Sequence, residues 1–482
     1  MPREANAPLT QPVFDEPDPT PDPNGFKVPP NDNGRYAEVE ELLKKDVVGF
    51  PQSRIPDDGF FSLQSAWGPR AAAVINGIEQ AGQIVFQAIG DSGAASARTF
   101  PSEIRVADEI TRELHTAKDP DRPAFLYHLG DLVYNFGESA YYYDQFYDAF
   151  RDFPAPIFAI PGNHDSFVLP NTPQGQTPLE VFMRNFCADA PVVTGEAGSL
   201  HRTAMTQPGV YFTLDAPFVR IIGLFSNALE DPGVISNKDP KWNAVPPYQV
   251  NFLTAQLRKI KTENYKGAVL IAVHHPPFSY APETDGAGGK HFGSWAMLGE
   301  IDAVCKAEGV YPHAFLSGHA HNYQRYTRSV VFGGSTISVP FVVCGDGGHN
   351  VNALVSARSG AQAREPADGA DVSYLDSSVV LPRKGLVLDR HDQSNFGYLR
   401  VVVNAKELTI SFIPVTPNKT GGDTVTVDLE THSVLSPSKG PAKRSVQAPV
   451  RRASKASVKR GTKATARRSV QAPAKRKKKP KR

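Results

Sequence analysis

One small pattern recurs along this chain: a short apolar run ends, usually at a glycine, and a residue able to bind a metal follows at once. Ile84–Ile89 runs into Gly90-Asp91-Ser92-Gly93, Ala124–Leu129 into Gly130-Asp131-Leu132-Val133-Tyr134, and Pro156–Ile160 into Gly162-Asn163-His164-Asp165. Further on, Ala268–Val273 meets His274-His275-Pro276, and Ala314–Leu316 meets Gly318-His319-Ala320-His321. Apolar runs of this length bounded by Gly or Pro read as buried strands. Stretches of helical pattern separate them: Glu103–Thr116, Tyr141–Phe150, Pro178–Cys187, Pro247–Lys261 and Trp295–Ala307. Strands alternating with helices predict a layered α/β domain, in which the carboxyl ends of neighbouring strands bring their side chains to one sheet edge. Glycine beside the donors lets the backbone turn sharply and approach an ion closely.

Seven side chains stand at those ends: Asp91, Asp131, Tyr134, Asn163, His274, His319 and His321. Carboxylate, phenolate, amide oxygen and imidazole are hard to borderline donors, suited to iron, zinc or manganese and not to a thiolate structural site. A carboxylate can bridge ions about 3.5–4 Å apart, and Asp131, central in the set, is the natural bridge. Taken singly, each residue has a plainer reading. An Asp after a strand is usually a turn or cap residue, Tyr134 lies in an aromatic stretch, and a lone buried His is usually a hydrogen-bonded core residue. The metal reading rests on all seven occurring together and in order. His201, His313, His349, His391 and His432 keep the plainer reading, with His349, after Gly347-Gly348, expected nearest the site.

The set resembles the purple acid phosphatases within the calcineurin-like metallophosphoesterase superfamily. Most of that superfamily opens with Asp-x-His, whereas this chain has Asp91-Ser92-Gly93 and places Tyr134 three residues after Asp131. Both departures are shared with the purple acid phosphatases, and the resemblance runs from about Gln83 to Cys344-Gly345-Asp346-Gly347-Gly348. It implies a β-sandwich core flanked by helices. It also implies a ferric ion on Asp91, Tyr134 and His321, and a divalent partner (Fe2+, Zn2+ or Mn2+) on Asn163, His274 and His319, with Asp131 bridging. The implied reaction is hydrolysis of a phosphate monoester, with His164 as the outer histidine that meets phosphate or the leaving oxygen. A second substrate-side histidine would stand where this chain has Glu283; His291, after the Gly286–Lys290 stretch, is the substitute to be weighed first, since His275 should point to the opposite face from His274.

The ends differ from this core. Residues 1–35 are rich in Pro and Asp and are expected to be disordered or extended, and 36–82 form a lead-in with one short helix over Tyr36–Lys45. The catalytic domain is placed at 83–436. Its last part, Leu399–Val403 and Leu408–Ile413, reads as a hairpin that closes a second sheet. Residues 437–482 hold 18 of the 52 basic residues and none of the 50 acidic ones, so the tail carries +18 and the rest −16. Such a tail should be disordered, and association with nucleic acid or another polyanion is its first-ranked use. Two other functions compete with the phosphatase reading: a metallophosphodiesterase using the same metals, and a non-catalytic polyanion-binding protein acting through the tail. No signal sequence is readable and no apolar run is long enough to span a membrane, which makes a cytoplasmic location the default. Cys187, Cys305 and Cys344 are too few and too scattered for a disulfide framework.

Overall fold

Strands of two kinds build this protein, and their burial tells them apart. Gln83–Ile89 and Ala268–Val273 are apolar on both faces and buried almost throughout, as central strands covered on both sides must be. Glu407–Pro414 alternates half-buried and buried positions, the mark of a strand with one face on the core. The computed structural model describes residues 7–14, 26–29, 53–54, 59–166, 178–226, 233–236, 246–280, 291, 293–354, 366–415 and 421–435. The chain divides into Met1–Pro437 and Ser438–Arg482. The helix expected at Tyr36–Lys45, the Glu283 position and the basic tail lie outside the described residues.

One sheet holds β2 (Gln83–Ile89), β3 (Leu126–His128), β4 (Ile157–Ala159), β13 (Gly397–Asn404), β14 (Glu407–Pro414), β15 (Asp423–Asp428) and β16 (Ser433–Leu435). Its order is β16-β15-β14-β13-β2-β3-β4, parallel from β2 to β4 and antiparallel elsewhere. The other holds β1 (Phe61–Ser62), β5 (Phe212–Ala216), β6 (Val219–Leu224), β7 (Ala268–Val273), β8 (Ala314–Ser317), β9 (Tyr323–Phe332), β10 (Ser335–Cys344), β11 (Ala370–Asp371) and β12 (Arg383–Asp392). Its order is β1-β5-β6-β7-β8-β10-β9-β12-β11, with β6, β7, β8 and β10 mutually parallel. The sheets face each other through aromatic contacts. Tyr323 of β9 stacks on Phe412 of β14 at 4.2 Å, and Tyr127 of β3 on Phe212 of β5 at 6.3 Å. The result is a β-sandwich with flanking helices, the α/β class expected.

Helices cover the parallel strands. Tyr248–Thr262, which leads from β6 to β7, buries Phe252, Leu253, Leu257 and Ile260, a spacing of three to four that makes one apolar stripe. Trp295–Glu308 does the same between β7 and β8 and stops at Gly309, φ 70°, where a left-handed residue ends a helix at least cost. No helix among the described residues is long and apolar enough to cross a membrane.

Two expectations need correction. The hairpin of β13 and β14 does not close a second sheet; β13 pairs with β2 and extends the first, and the five strand-end motifs are divided between the two sheets. Tyr141–Phe150 is no regular helix, but a 3-10 turn at Ser139–Tyr141 followed by a π-helical turn at Tyr143–Tyr147. Every residue from Tyr142 to Tyr147 is buried there, Asp144 and Gln145 included, so the turn has no exposed face of the kind a surface helix keeps. Residues 7–14, within the stretch expected to be disordered or extended, form no helix or strand and are docked on the body. Phe14 is fully buried against Trp67 at 5.4 Å, Val13 and Thr203 exchange hydrogen bonds, and the Arg202 guanidinium donates to the Phe14 carbonyl.

Candidate metal centre

The division of strands between two sheets explains how the donors meet. Asp91, Asp131 and Asn163 follow the carboxyl ends of the adjacent parallel strands β2, β3 and β4, while His274 follows β7 and His319 and His321 follow β8. The two edges are laced together by main chain: Gly90 N–H donates to Cys344 O at 3.0 Å, Gly347 N–H to Gly90 O at 3.1 Å, and His349 N–H to Asp91 O at 3.0 Å. The His274 ring crosses the same seam, its Nδ1–H donating to Leu129 O at 2.9 Å. That bond fixes the tautomer and turns Nε2 inward.

All seven residues come together, and two donor groups form around one shared carboxylate. Asp131, His274 and His319 make one, and Asp91, Asp131 and His321 the other, with the ligand atoms of each group within 4.8 Å of one another. In the first, Asn163 Oδ1 lies 3.0 Å from His274 Nε2 and 3.1 Å from His319 Nδ1. In the second, the Tyr134 hydroxyl lies 3.0 Å from Asp131 Oδ2, 3.2 Å from Asp91 Oδ1 and 3.3 Å from His321 Nε2. Asp131 Oδ2 is also 3.3 Å from His274 Nε2, which puts that one oxygen at the join.

The backbone is bent to make this possible. Asp91, Asp131 and His319 take left-handed φ values of 56°, 57° and 68°, a conformation that costs a non-glycine residue about 1–3 kcal/mol and concentrates at functional sites. Glycine is required where chains nearly touch. A Cβ on Gly130, φ 101°, would lie 2.6 Å from His274 Nδ1, and one on Gly318 would lie 2.6 Å from Asp91 Oδ2.

Residues 88–323 match the family model described as calcineurin-like phosphoesterase. This chain carries a calcineurin-like metallophosphoesterase domain. The family hydrolyses phosphate esters with bound metal, so the chain is read as a metal-dependent phosphoester hydrolase. No curated protein matches the sequence. Among solved structures, the chain is similar to one titled GAP50, the anchor in the inner membrane complex of Plasmodium, at 11% identity and TM-score 0.42, over 71% of this chain and 88% of that one. It is similar to PhoD at 12% identity and TM-score 0.41, over 75% of this chain and 73% of that one. A Streptococcus pneumoniae protein described as a predicted phosphoesterase matches at 9% identity and TM-score 0.24, over 71% and 98%. Likenesses this distant add nothing to what the site residues say.

The electrostatics of the metallophosphoesterase site suit a cation. Asp91 and Asp131 are buried, and among the described residues neither pairs with a lysine or arginine. Burial pushes Asp91 up to about 7, with Asp131 adding to the rise and His274 opposing it. Burial also works against ionising Asp131, but His274 and His164 hold it well below the usual carboxylate range. Burial opposes a charged His274 too, yet Asp131 lifts it to about 9; burial keeps His319 neutral and takes His321 down to about 4. Buried carboxylates beside the neutral imidazoles of His319 and His321 are a donor set for metal; His274, whose proton Asp131 holds, would release it to a metal, since ligands must be deprotonated and buried charges need a partner.

The outer residues fall into place around it. His164 donates its main-chain N–H to Asp131 Oδ1 at 2.9 Å and its Nδ1–H to Asn135 O at 2.6 Å. His291 donates Nδ1–H to His319 O at 2.5 Å, its ring 4.8 Å from that of His319 and 5.0 Å from that of His321. His275 does not point away as expected: its ring lies 4.3 Å from that of His319, with Nδ1 3.0 Å from Ser226 Oγ. The strand ends at Val273, so two-residue alternation no longer governs the pair. Of the other histidines, His313 sits between Val269 N and Leu429 O, away from the donors, whereas His349 stacks on Tyr134.

Sequence reasoning passed over three supports. Gln145 clamps the main chain of Tyr134, accepting its N–H at 2.8 Å and donating to its carbonyl at 2.6 Å. His128 accepts from Gly130 N at 3.2 Å and lies 2.8 Å from Ser92 Oγ. Asp165 accepts four N–H bonds around Asp131. Only Asp165 left a signal, as the last member of Gly162-Asn163-His164-Asp165.

Proposed function

We propose that this chain is a binuclear-metal phosphatase of the purple acid phosphatase type, hydrolysing phosphate monoesters. In this reading Asp91, Tyr134 and His321 hold a ferric ion, Asn163, His274 and His319 hold Fe2+, Zn2+ or Mn2+, and Asp131 bridges. The observation that carries it is the place of Asp131 Oδ2, 3.0 Å from the Tyr134 hydroxyl on one side and 3.3 Å from His274 Nε2 on the other. A single ion would leave one of those donor groups without use.

When bound, the ions supply a water of lowered pKa and offset the charge of the phosphate oxygens. The side chains do the rest. Asp165 and Gln145 hold Asp131 and Tyr134 still, so the site is organised before substrate arrives. With the Nδ1–H of His164 engaged by Asn135 O, Nε2 is the atom left to exchange a proton with the substrate. His291, held by its bond to His319 O, serves as the second substrate-side histidine in place of the Glu283 position.

Metal analysis, the visible spectrum and hydrolysis of p-nitrophenyl phosphate against its bis-ester test the reading together. The expected protein is coloured by a tyrosinate-to-ferric charge-transfer band that disappears in Tyr134→Phe, prefers the monoester, and loses activity when a chelator strips its metals. A colourless, fully active enzyme holding only zinc or manganese would overturn the ferric assignment, and preference for the bis-ester would overturn the monoester one.

A further inference from the structure

The Tyr134 phenol is flanked by two imidazoles. His164 lies 4.2 Å away at 41°, and His349 stacks on it at 3.6 Å with the rings only 16° apart. His349 is itself tied down at both ends: its N–H donates to Asp91 O at 3.0 Å and its Nδ1–H to Gly93 O at 2.8 Å. Both acceptors belong to the loop after β2, the same loop that supplies Asp91. Gly93 cannot gain a side chain there, since a Cβ would come within 2.8 Å of Gln145 Oε1. The ring that stacks on Tyr134 is thus fixed to the backbone of the loop that supplies a neighbouring donor.

Resting on the reading of Tyr134 as a metal ligand, we propose that His349 is the positioning residue for that ligand. Its stacked ring sets the plane of the phenol and holds the hydroxyl toward Asp91 and Asp131. A tyrosine on a turn otherwise has several rotamers to give up on binding metal. A ring packed flat against it removes them beforehand, as outer contacts of metal sites do. The stack is the operative contact, and the bond to Gly93 keeps the stacking ring in place.

The full chain loaded with iron and zinc gives the test, comparing wild type with His349→Ala, His349→Gln and His349→Phe by visible spectrum and by iron retained against a chelator. His349→Phe keeps a flat ring without the N–H, and His349→Gln keeps a donor without the ring. His349→Ala and His349→Gln are expected to shift or lose the charge-transfer band and to bind iron about 10–100-fold more weakly, while His349→Phe restores both. Unchanged band and retention in His349→Ala would overturn the proposal, as would rescue by Gln and not by Phe. Circular dichroism checks that each variant folds; should the alanine variant fail to fold, the Phe and Gln pair decides. A wild type that takes up iron, stays colourless and matches Tyr134→Phe in retention removes Tyr134 as a ligand and the proposal with it. A coloured wild type with an unaltered alanine variant removes only the role of His349.

Discussion

Asp165 gives the candidate centre no donor, yet the position of Asp131 depends on it. Its carboxylate accepts from the N–H of Asp131 at 2.7 Å, Leu132 at 3.0 Å, Val133 at 3.1 Å and Gly162 at 2.9 Å. These are the turns after β3 and β4, where the shared carboxylate and Asn163 stand. Asp165→Ala would leave those buried N–H groups without acceptors, at about 1–3 kcal/mol for each that finds no replacement. An overall loss of about 3–5 kcal/mol in urea unfolding is expected, together with metal content well below wild type. A variant with unaltered stability and full metal would remove this role. The seven donors could be read from the sequence because their side-chain chemistry is distinctive and each ends an apolar run. The roles of Asp165, Gln145 and His349 could not, although Asp165 closes one of the motifs and His349 is expected near the site, because these residues act on backbone groups and ring faces that no residue pattern displays.

At the scale of elements, strands and helices that bury one or both faces left their periodicity in the sequence, and those are the elements whose limits fall within a few residues of expectation. The segment from Tyr141 to Phe150 shows the opposite case, where a helical pattern in the sequence became a π-helical turn buried on every side. Elements are also joined by an ion network that the sequence does not advertise. Arg328 of β9, fully buried, meets Asp302 of the helix Trp295–Glu308 through two bonds of 2.9 Å and Asp376 at 2.8 Å, with the Tyr311 hydroxyl at 2.9 Å. Arg328→Met fills similar volume but leaves two buried carboxylates without their cation. Breaking a buried pair in this way costs about 3–5 kcal/mol, so the urea midpoint should fall accordingly. Changing Asp302 and Asp376 to Asn in the Met background should recover part of the loss, because the stranded charges are then gone. Failure of that rescue would mean that packing, not charge, sets the cost.

The whole molecule depends on two sheets meeting face to face, which the strand-end motifs hint at only through resemblance, since pairing between distant strands has no local signature. One contact that joins them is a histidine pair. His313, just before β8, and His432, in the turn before β16, lie ring to ring at 4.0 Å, and the Nε2–H of His313 donates to Leu429 O at 3.2 Å. Burial takes His313 down to about 4; burial and then His313 take His432 down to about 3. Each folded pKa therefore lies below the unfolded value of about 6.5. As pH falls, the unfolded chain binds these protons first, so the contribution of the pair is intact above about 6.5 and is lost as pH falls toward 4. Each group can add at most about 1.4 kcal/mol of destabilisation per pH unit in that window. His313→Asn with His432→Asn should flatten the fall of the urea midpoint between pH 6.5 and 4 relative to wild type, whatever it does to stability at pH 8. An equally steep fall in the double variant would assign the acid sensitivity to groups elsewhere. For an enzyme proposed to work in acid the consequence is direct: bound metal, which stabilises only the folded chain, has to offset what these buried histidines lose as the pH drops.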